Sequence, residues 1–169
     1  TTEIYTLSLH DALPICRADP GAVGKRIRRE RSVNGETETR HPHPHCLLCG
    51  DRNPWSLRLQ FSADGDGEVS TSFRGRPALQ GYDGLLHGGV IASLLDSVMT
   101  NCLFRKGIRA VTGELKIRYR HPVPCHAELE LRARVVRDSS PLFLVESELL
   151  MAERIMAKAS AKFMKQAEL

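Results

Sequence analysis

One helical stretch interrupts an otherwise strand-like sequence, and this order constrains the fold more than any other feature. Apolar and polar residues alternate with a period of two through much of residues 57–163, as in strands with one buried and one wet face. Residues 88–104 change to helical spacing, and Gly107 then supplies a stop signal. The apolar residues of this stretch are Val90, Ile91, Leu94, Leu95, Val98, Cys102 and Leu103.

The remaining apolar segments predict five to six strands. They lie at 57–61, 69–73, 111–119, 129–135, 142–151 and 155–163. Short connections such as His121-Pro122 suit antiparallel pairing, so the fold class is α+β. The order fits a hotdog fold, an antiparallel sheet wrapped around one long central helix. Helix-forming residues dominate 152–168 and leave a C-terminal helix as the alternative to the last strand, but the period of two favours the strand.

The first 45 residues lack sustained apolar spacing. We expect residues 1–45 to be a disordered or artefactual extension, followed by one domain over residues 46–166. Residues 1–15 resemble a translated sequencing adapter. Five basic residues between positions 25 and 31 are interpreted as part of a solvated tail, with contact to RNA or a membrane surface as the alternative.

Composition places the chain among ordinary globular proteins. Its 169 residues and net charge of +4 suit one domain without a nucleic-acid footprint. No apolar run reaches the roughly 18 to 20 residues that span a bilayer, and the N-terminus lacks a secretory signal pattern. The five cysteines are an odd, irregularly spaced set, which indicates reduced thiols. We therefore expect a cytoplasmic protein that binds neither nucleic acid nor membrane.

A cluster of metal-ligand residue types precedes the domain: His41, His43, His45, Cys46 and Cys49. A structural zinc site takes four ligands, usually as two separated pairs. A second cysteine pair is missing, and Cys125-His126 is the only distant candidate. We therefore expect no metal and no cofactor, and a turn closed by Gly50 at this position.

A glycine-rich stretch leads into the predicted helix, with Gly88 and Gly89 at its start. Glycines let a ligand approach the backbone closely. The first amides of a helix have no intrahelical partner, and the helix dipole adds positive potential there. Such an end can hold a developing oxyanion, as in thioester hydrolysis.

Asp96 is the candidate catalytic carboxylate. It follows Gly89 by seven residues, almost two helical turns, so both lie on the same side of the helix. Its neighbours on that side, Ala92, Ser93 and Thr100, are small. This pattern favours a narrow channel leading to a carboxylate, and a solvated polar face is the alternative.

The stretch around His87-Gly88-Gly89 resembles the HGG motif of the PaaI-like acyl-CoA thioesterases in the hotdog superfamily. The catalytic carboxylate of that family lies nine positions after the motif histidine, as Asp96 does from His87. Further similarities are Cys46-Leu-Leu-Cys49-Gly50, Gln80-Gly81-Tyr82 and the segment from Tyr119 to Pro124. The resemblance covers about residues 46–165.

The resemblance implies a thioester hydrolase that converts an acyl- or aryl-acyl-CoA to the free acid and CoA, as a homodimer or homotetramer. The amide of Gly88 would polarise the thioester carbonyl. Asp96 of the partner subunit would act as general base or nucleophile. Gln80 would orient water or the leaving sulfur, and Thr112 would help to place water, although the period of two puts Thr112 with the polar residues.

The resemblance also implies that three residues contact substrate: His87, Gly89 and Ser93. The side chain of His87 is interpreted as holding the loop rather than as a base.

Other activities of related folds stay open as alternatives. A hydratase would carry a histidine five positions after Asp96, where this chain has Asn101, so hydration is disfavoured. A non-catalytic acyl-CoA-binding module is the second alternative, and a metal- or nucleic-acid-binding protein built on residues 25–49 is the third.

Overall fold

The computed structural model describes residues 43–65 and 67–166, which form one six-stranded antiparallel sheet and one long helix. The helix, α1, spans Gly88–Arg105, and a short 3-10 turn spans Pro77–Leu79. The strands are β1 (Ser62–Ala63), β2 (Val69–Arg74), β3 (Ala110–Tyr119), β4 (Glu128–Ser139), β5 (Leu142–Met151) and β6 (Arg154–Lys165). Residues 1–42, with most of the expected N-terminal extension, lie outside the described residues.

The strand order is β1-β2-β4-β5-β6-β3, so β3 crosses over to pair with β6 at the opposite edge from β1. One face of the sheet is apolar because alternate side chains of each strand point to the same side. On β5 and β6 the register places Phe143 opposite Phe163 and Val145 opposite Ala161, and all four side chains are buried. Burial of each phenylalanine contributes about 1.5–3 kcal/mol.

The other sheet face carries ion pairs between neighbouring strands. Lys158 of β6 pairs with Glu148 of β5, and Lys162 of β6 lies 3.0 Å from Glu114 of β3. Hydrogen bonds from Lys116 and Lys162 hold the pKa of the Glu114 carboxyl below its usual range. Such exposed pairs contribute little to stability, so the apolar face carries the fold.

Helix α1 packs across the apolar face and contacts β2 to β6. It ends where the Lys106 and Gly107 amides donate to carbonyls of the last turn and Gly107 adopts a φ of 70°, a left-handed conformation that favours glycine. Its buried apolar residues are Ile91, Leu94, Leu95, Val98, Met99, Cys102 and Leu103. The sheet around one central helix confirms the expected α+β hotdog fold.

The first expected strand is wrong. Residues 57–61 are irregular, and β1 begins only at Ser62. The amides of Leu57 and Leu59 donate to the carbonyls of Leu47 and Leu48, and Arg58 has a φ of 58°, which no strand accommodates. Leu59 is buried, so the alternation reflects packing of an extended loop on the core.

The last segment is a strand, β6, as the period of two predicted. Within the described ranges, no helix is long and apolar enough to cross a membrane.

Candidate active site

The glycine-rich segment before α1 is a closed loop. Gln80 and Leu86 form an isolated antiparallel bridge, and the Gly81 amide donates to the Leu85 carbonyl at 2.9 Å. The Gln80 side-chain oxygen accepts from the Gly84 amide at 3.2 Å. The loop therefore delivers His87 to the start of the helix in a fixed position.

His87 caps the helix. Its Nδ1 accepts from the Gly89 amide at 2.9 Å, so the proton of the neutral ring is on Nε2. Its ring also lies against Gly81, where an added Cβ would come within 2.9 Å of it. These contacts agree with a side chain that holds the loop in place. The rest of the His87 ring is exposed.

Gly88 presents its amide at the helix N-terminus. Within residues 43–65 and 67–166, no acceptor takes this N–H, as is usual for the first residue of a helix. The Tyr119 hydroxyl donates to the Gly88 carbonyl at 2.9 Å, and the Tyr119 ring lies over Gly88. A groove of about 270 Å³ opens beside them. The amide is therefore a fixed donor next to an open groove.

Asp96 lies two turns further along α1 and is half-buried. Its Oδ1 accepts from the Thr112 hydroxyl at 2.7 Å. Thr100 donates to the backbone carbonyl of Asp96 at 2.9 Å and leaves the carboxylate untouched. Thr112 therefore orients one carboxylate oxygen, and the other oxygen has no protein partner in the described part of the chain.

A β-bulge in β3 brings Thr112 to the helix side of the sheet. Thr112 is opposite Phe163 and Glu114 is opposite Lys162, so Gly113 is an extra residue in the ladder. Residues directly opposite in a sheet point to the same face, and Phe163 points into the core. The inference from alternation alone, which put Thr112 on the polar face, is wrong because an extra residue reverses the alternation.

Ser93 lies on the exposed side of the helix, between Gly88 and Asp96. Its hydroxyl donates to the Gly89 carbonyl at 2.9 Å. The expected site residues thus fall into two sets. Gln80, His87, Gly88 and Gly89 lie at the helix N-terminus; Asp96 and Thr112 form the second set. Eight residues of helix separate Gly88 from Asp96, about 12 Å along the axis.

Part of the chain matches a known family model. Residues 83–154 match the family model described as the thioesterase superfamily. The match includes the helix N-terminus, Asp96 and the whole of β3, so the recognition of the family from its motif is confirmed.

Three of the proteins that are similar to this chain show the extent of the likeness. Acyl-coenzyme A thioesterase THEM4 of Bos taurus is 42% identical over 52 residues, 31% of this chain and 21% of that protein. The chain therefore spans about a fifth of the length of this curated relative. A crystallised thioesterase superfamily protein has a TM-score of 0.68 and 24% identity, over 72% of this chain and 63% of its own. The smu.793 protein of Streptococcus mutans, bound to acetyl CoA, has a TM-score of 0.61 and 22% identity over 65% of this chain and 90% of its own.

Sequence reasoning assigned Tyr119 no role at the site. Its position at the end of β3 follows the apolar alternation, and the resemblance of the segment from Tyr119 to Pro124 implied no contact for its side chain. Its contact with Gly88 depends on the packing of β3 against the start of α1.

Asn101, the position that a hydratase would use, is buried and donates to the Ser97 carbonyl at 2.8 Å, so it offers no group to a substrate.

A cluster of three possible metal ligands lies outside this site. The ligand atoms of His43, Cys46 and Cys49 lie within 4.8 Å of one another. Burial, together with the neighbouring Cys46, raises the pKa of the Cys49 thiol to about 12. His43 joins the two cysteines of this cluster, whereas Cys125 and His126 do not.

Proposed function

We propose that this protein hydrolyses acyl-CoA thioesters to a free acid and CoA. The observation that carries the proposal is the Asp96 carboxylate, oriented by Thr112 at 2.7 Å on a helix whose first amide is an open donor. The match to the thioesterase superfamily supports the reaction class. The acetyl CoA in the Streptococcus mutans structure supports a CoA thioester as the substrate.

The Gly88 amide is the proposed oxyanion donor. When the thioester carbonyl becomes tetrahedral, its oxygen gains negative charge, which a preorganised N–H and the positive end of the helix dipole stabilise. The amides of Val90 and Ile91 donate to the His87 carbonyl, which belongs to the peptide group that carries the Gly88 N–H. Tyr119 and His87 hold the following peptide group, through the Gly88 carbonyl and the Gly89 amide. The donor therefore needs no reorganisation during the reaction.

Asp96 is the proposed catalytic carboxylate, with two routes open. As a general base it takes a proton from water, which attacks the carbonyl carbon, and the CoA sulfur then leaves as a thiol. As a nucleophile it attacks the carbonyl carbon and expels the CoA thiolate, which takes up a proton; water then hydrolyses the resulting anhydride and regenerates the carboxylate. Both routes consume one water and release acid and CoA.

The two sets of residues must come from different subunits for this chemistry. A reacting carbonyl has to lie about 3 Å from both its donor and its base or nucleophile. About 12 Å along one helix separates Gly88 from Asp96 of the same chain. We therefore propose a homodimer or homotetramer in which Gly88 of one subunit works with Asp96 of the partner subunit.

The remaining site residues receive positioning roles in this proposal. Gln80 orients water or the leaving sulfur, and its side chain is exposed at the mouth of the loop. Gly89 and Ser93 line the exposed helix side along which the acyl group would lie, and His87 holds the loop beside the substrate.

We propose residues 46–166 as the thioesterase domain, extended to His43 because its ring centroid lies 4.5 Å from that of Phe104. We also propose that the protein works in the cytoplasm. Support comes from Cys46, Cys49, Cys102 and Cys125, which are free thiols as expected in a reducing compartment.

Release of free CoA thiol from short-chain, long-chain and aromatic acyl-CoAs tests the function. We expect steady turnover of at least one class, with acid and thiol formed in equal amounts. Acyl-CoA binding without thiol release from any class would contradict hydrolysis and favour the non-catalytic binding module.

Replacement of Thr112 by Val tests the orientation of Asp96. Loss of a hydrogen bond to a charged group costs about 1.5–3 kcal/mol, so we expect kcat to fall roughly 10- to 100-fold with KM little changed. Thr112→Ser keeps the hydroxyl and serves as the matched control. Equal kcat values for wild type, Val and Ser would show that Thr112 does not orient the carboxylate.

A further inference from the structure

A compact turn at the entry to the domain brings together one imidazole and two thiols. The ligand atoms of His43, Cys46 and Cys49 all lie within 4.8 Å of one another. His43 Nδ1 and Cys49 Sγ are 3.6 Å apart. With Zn–S near 2.3 Å and Zn–N near 2.0 Å, tetrahedral zinc places a bound sulfur and nitrogen about 3.5 Å apart. The separation of His43 Nδ1 and Cys49 Sγ therefore matches that of two ligands on one zinc ion.

The backbone fixes the two thiols. The Gly50 amide donates to the Cys46 carbonyl at 2.9 Å, and the Leu48 amide donates to Cys46 Sγ at 3.3 Å. A side chain at Gly50 is excluded, because an added Cβ would lie 2.4 Å from the Pro44 carbonyl oxygen. An amide directed at a ligand sulfur stabilises its anionic form, as outer-shell partners of metal ligands do.

We propose that His43, Cys46 and Cys49 bind a zinc ion with a structural role. Two sulfurs and one imidazole nitrogen suit Zn²⁺, whereas Mg²⁺ and Ca²⁺ prefer oxygen. One further side chain completes the tetrahedron that a structural zinc site requires.

The site stabilises the fold rather than the chemistry. His43 packs on Phe104, in the last turn of α1, about 24 Å along the helix axis from Gly88. The turn also accepts the amides of Leu57 and Leu59 through the carbonyls of Leu47 and Leu48. Zinc here would fasten the irregular entry segment to the far end of the helix.

The test measures zinc in the purified full-length chain, reduced, loaded with Zn²⁺ alone and dialysed into metal-free buffer. We expect about one zinc per chain in the wild type and in the matched control Cys102→Ser, whose thiol lies elsewhere in the core. The double variant Cys46→Ser/Cys49→Ser should lose the zinc. His43→Phe keeps an aromatic ring on Phe104 and should weaken binding by more than about tenfold.

Two further measurements keep the test decisive if the double variant folds poorly. Co²⁺ bound to the wild type should give thiolate-to-cobalt charge-transfer absorption, and a chelator should lower the melting temperature of the wild type. The proposal fails if the wild type retains no more zinc than the double variant. It also fails if the protein isolated under native conditions carries a Cys46–Cys49 disulfide, or if Co²⁺ gives no charge-transfer absorption.

Discussion

Asp96→Asn should lower the turnover of every accepted acyl-CoA by about 10²- to 10⁴-fold, the usual contribution of a positioned general base. Asparagine keeps the size of the side chain and an oxygen that accepts from Thr112, but it can neither take a proton from water nor attack a carbonyl. The loss should appear in kcat for short, long and aromatic substrates alike, because the carboxylate acts on the thioester group that all of them share.

The fold should survive this substitution. The large buried residues of α1 pack on the sheet, whereas Asp96 lies among small side chains on the less buried side, so the melting temperature should change little. Asp138→Asn is a suitable control, since this exposed carboxylate only pairs with Lys106 at 3.2 Å. Near wild-type hydrolysis by Asp96→Asn would refute the mechanism and favour acyl-CoA binding without catalysis.

Gly88→Pro should lower kcat by about 10²- to 10³-fold, the typical cost of removing one oxyanion donor. Proline deletes the N–H and is well tolerated at the first position of a helix. The preceding residue, His87, has a φ of −63° and a ψ of 134°, the extended conformation that a following proline requires. The substitution therefore removes the donor with little disturbance of the helix.

Gly88→Ala is the matched control, because it keeps the N–H and its Cβ would meet the Tyr119 ring at 3.7 Å, an ordinary contact. Alanine should retain most of the activity that proline loses. Equal losses in both variants would indicate steric damage instead of loss of a donor, and full activity in Gly88→Pro would exclude the amide as the oxyanion donor.

Mixing the two inactive proteins tests whether the site is shared between subunits. Each mixed dimer of Asp96→Asn and Gly88→Pro chains would contain one intact site and one doubly defective site. Random exchange should therefore restore about a quarter of the wild-type rate, since about half of the dimers are mixed. No recovery after verified subunit exchange would place both groups in one subunit.

Local patterns predicted much of the fold because they record which faces are buried. The span of α1 and the identity of β6 as a strand follow from apolar spacing alone. The segment at 57–61 misled the same reasoning, because an extended loop that packs on the core shows the same alternation as a strand. An extended loop and a strand differ in the hydrogen-bond partners of their backbone groups, and the apolar alternation does not reveal those partners.

The site was partly predictable for the same reason. Asp96 and Gly88 are fixed by the helix that carries them, so their relation follows from residue spacing. Tyr119 comes to Gly88 through packing of β3 at the sheet edge, which spacing does not encode. His43 was one of three candidate histidines, and only the geometry of the turn selects it as the neighbour of Cys46 and Cys49.

Gly113 is the extra residue of the bulge in β3, and it reverses which positions of the strand face the helix. Before it, even positions such as Thr112 face the helix; after it, odd positions such as Leu115 and Ile117 do so. Deletion of Gly113 would leave either the site hydroxyl or the core leucine on the wrong side of the sheet. In a library built on this strand, residues that face the helix must therefore be chosen by even number up to 112 and by odd number from 115 onward.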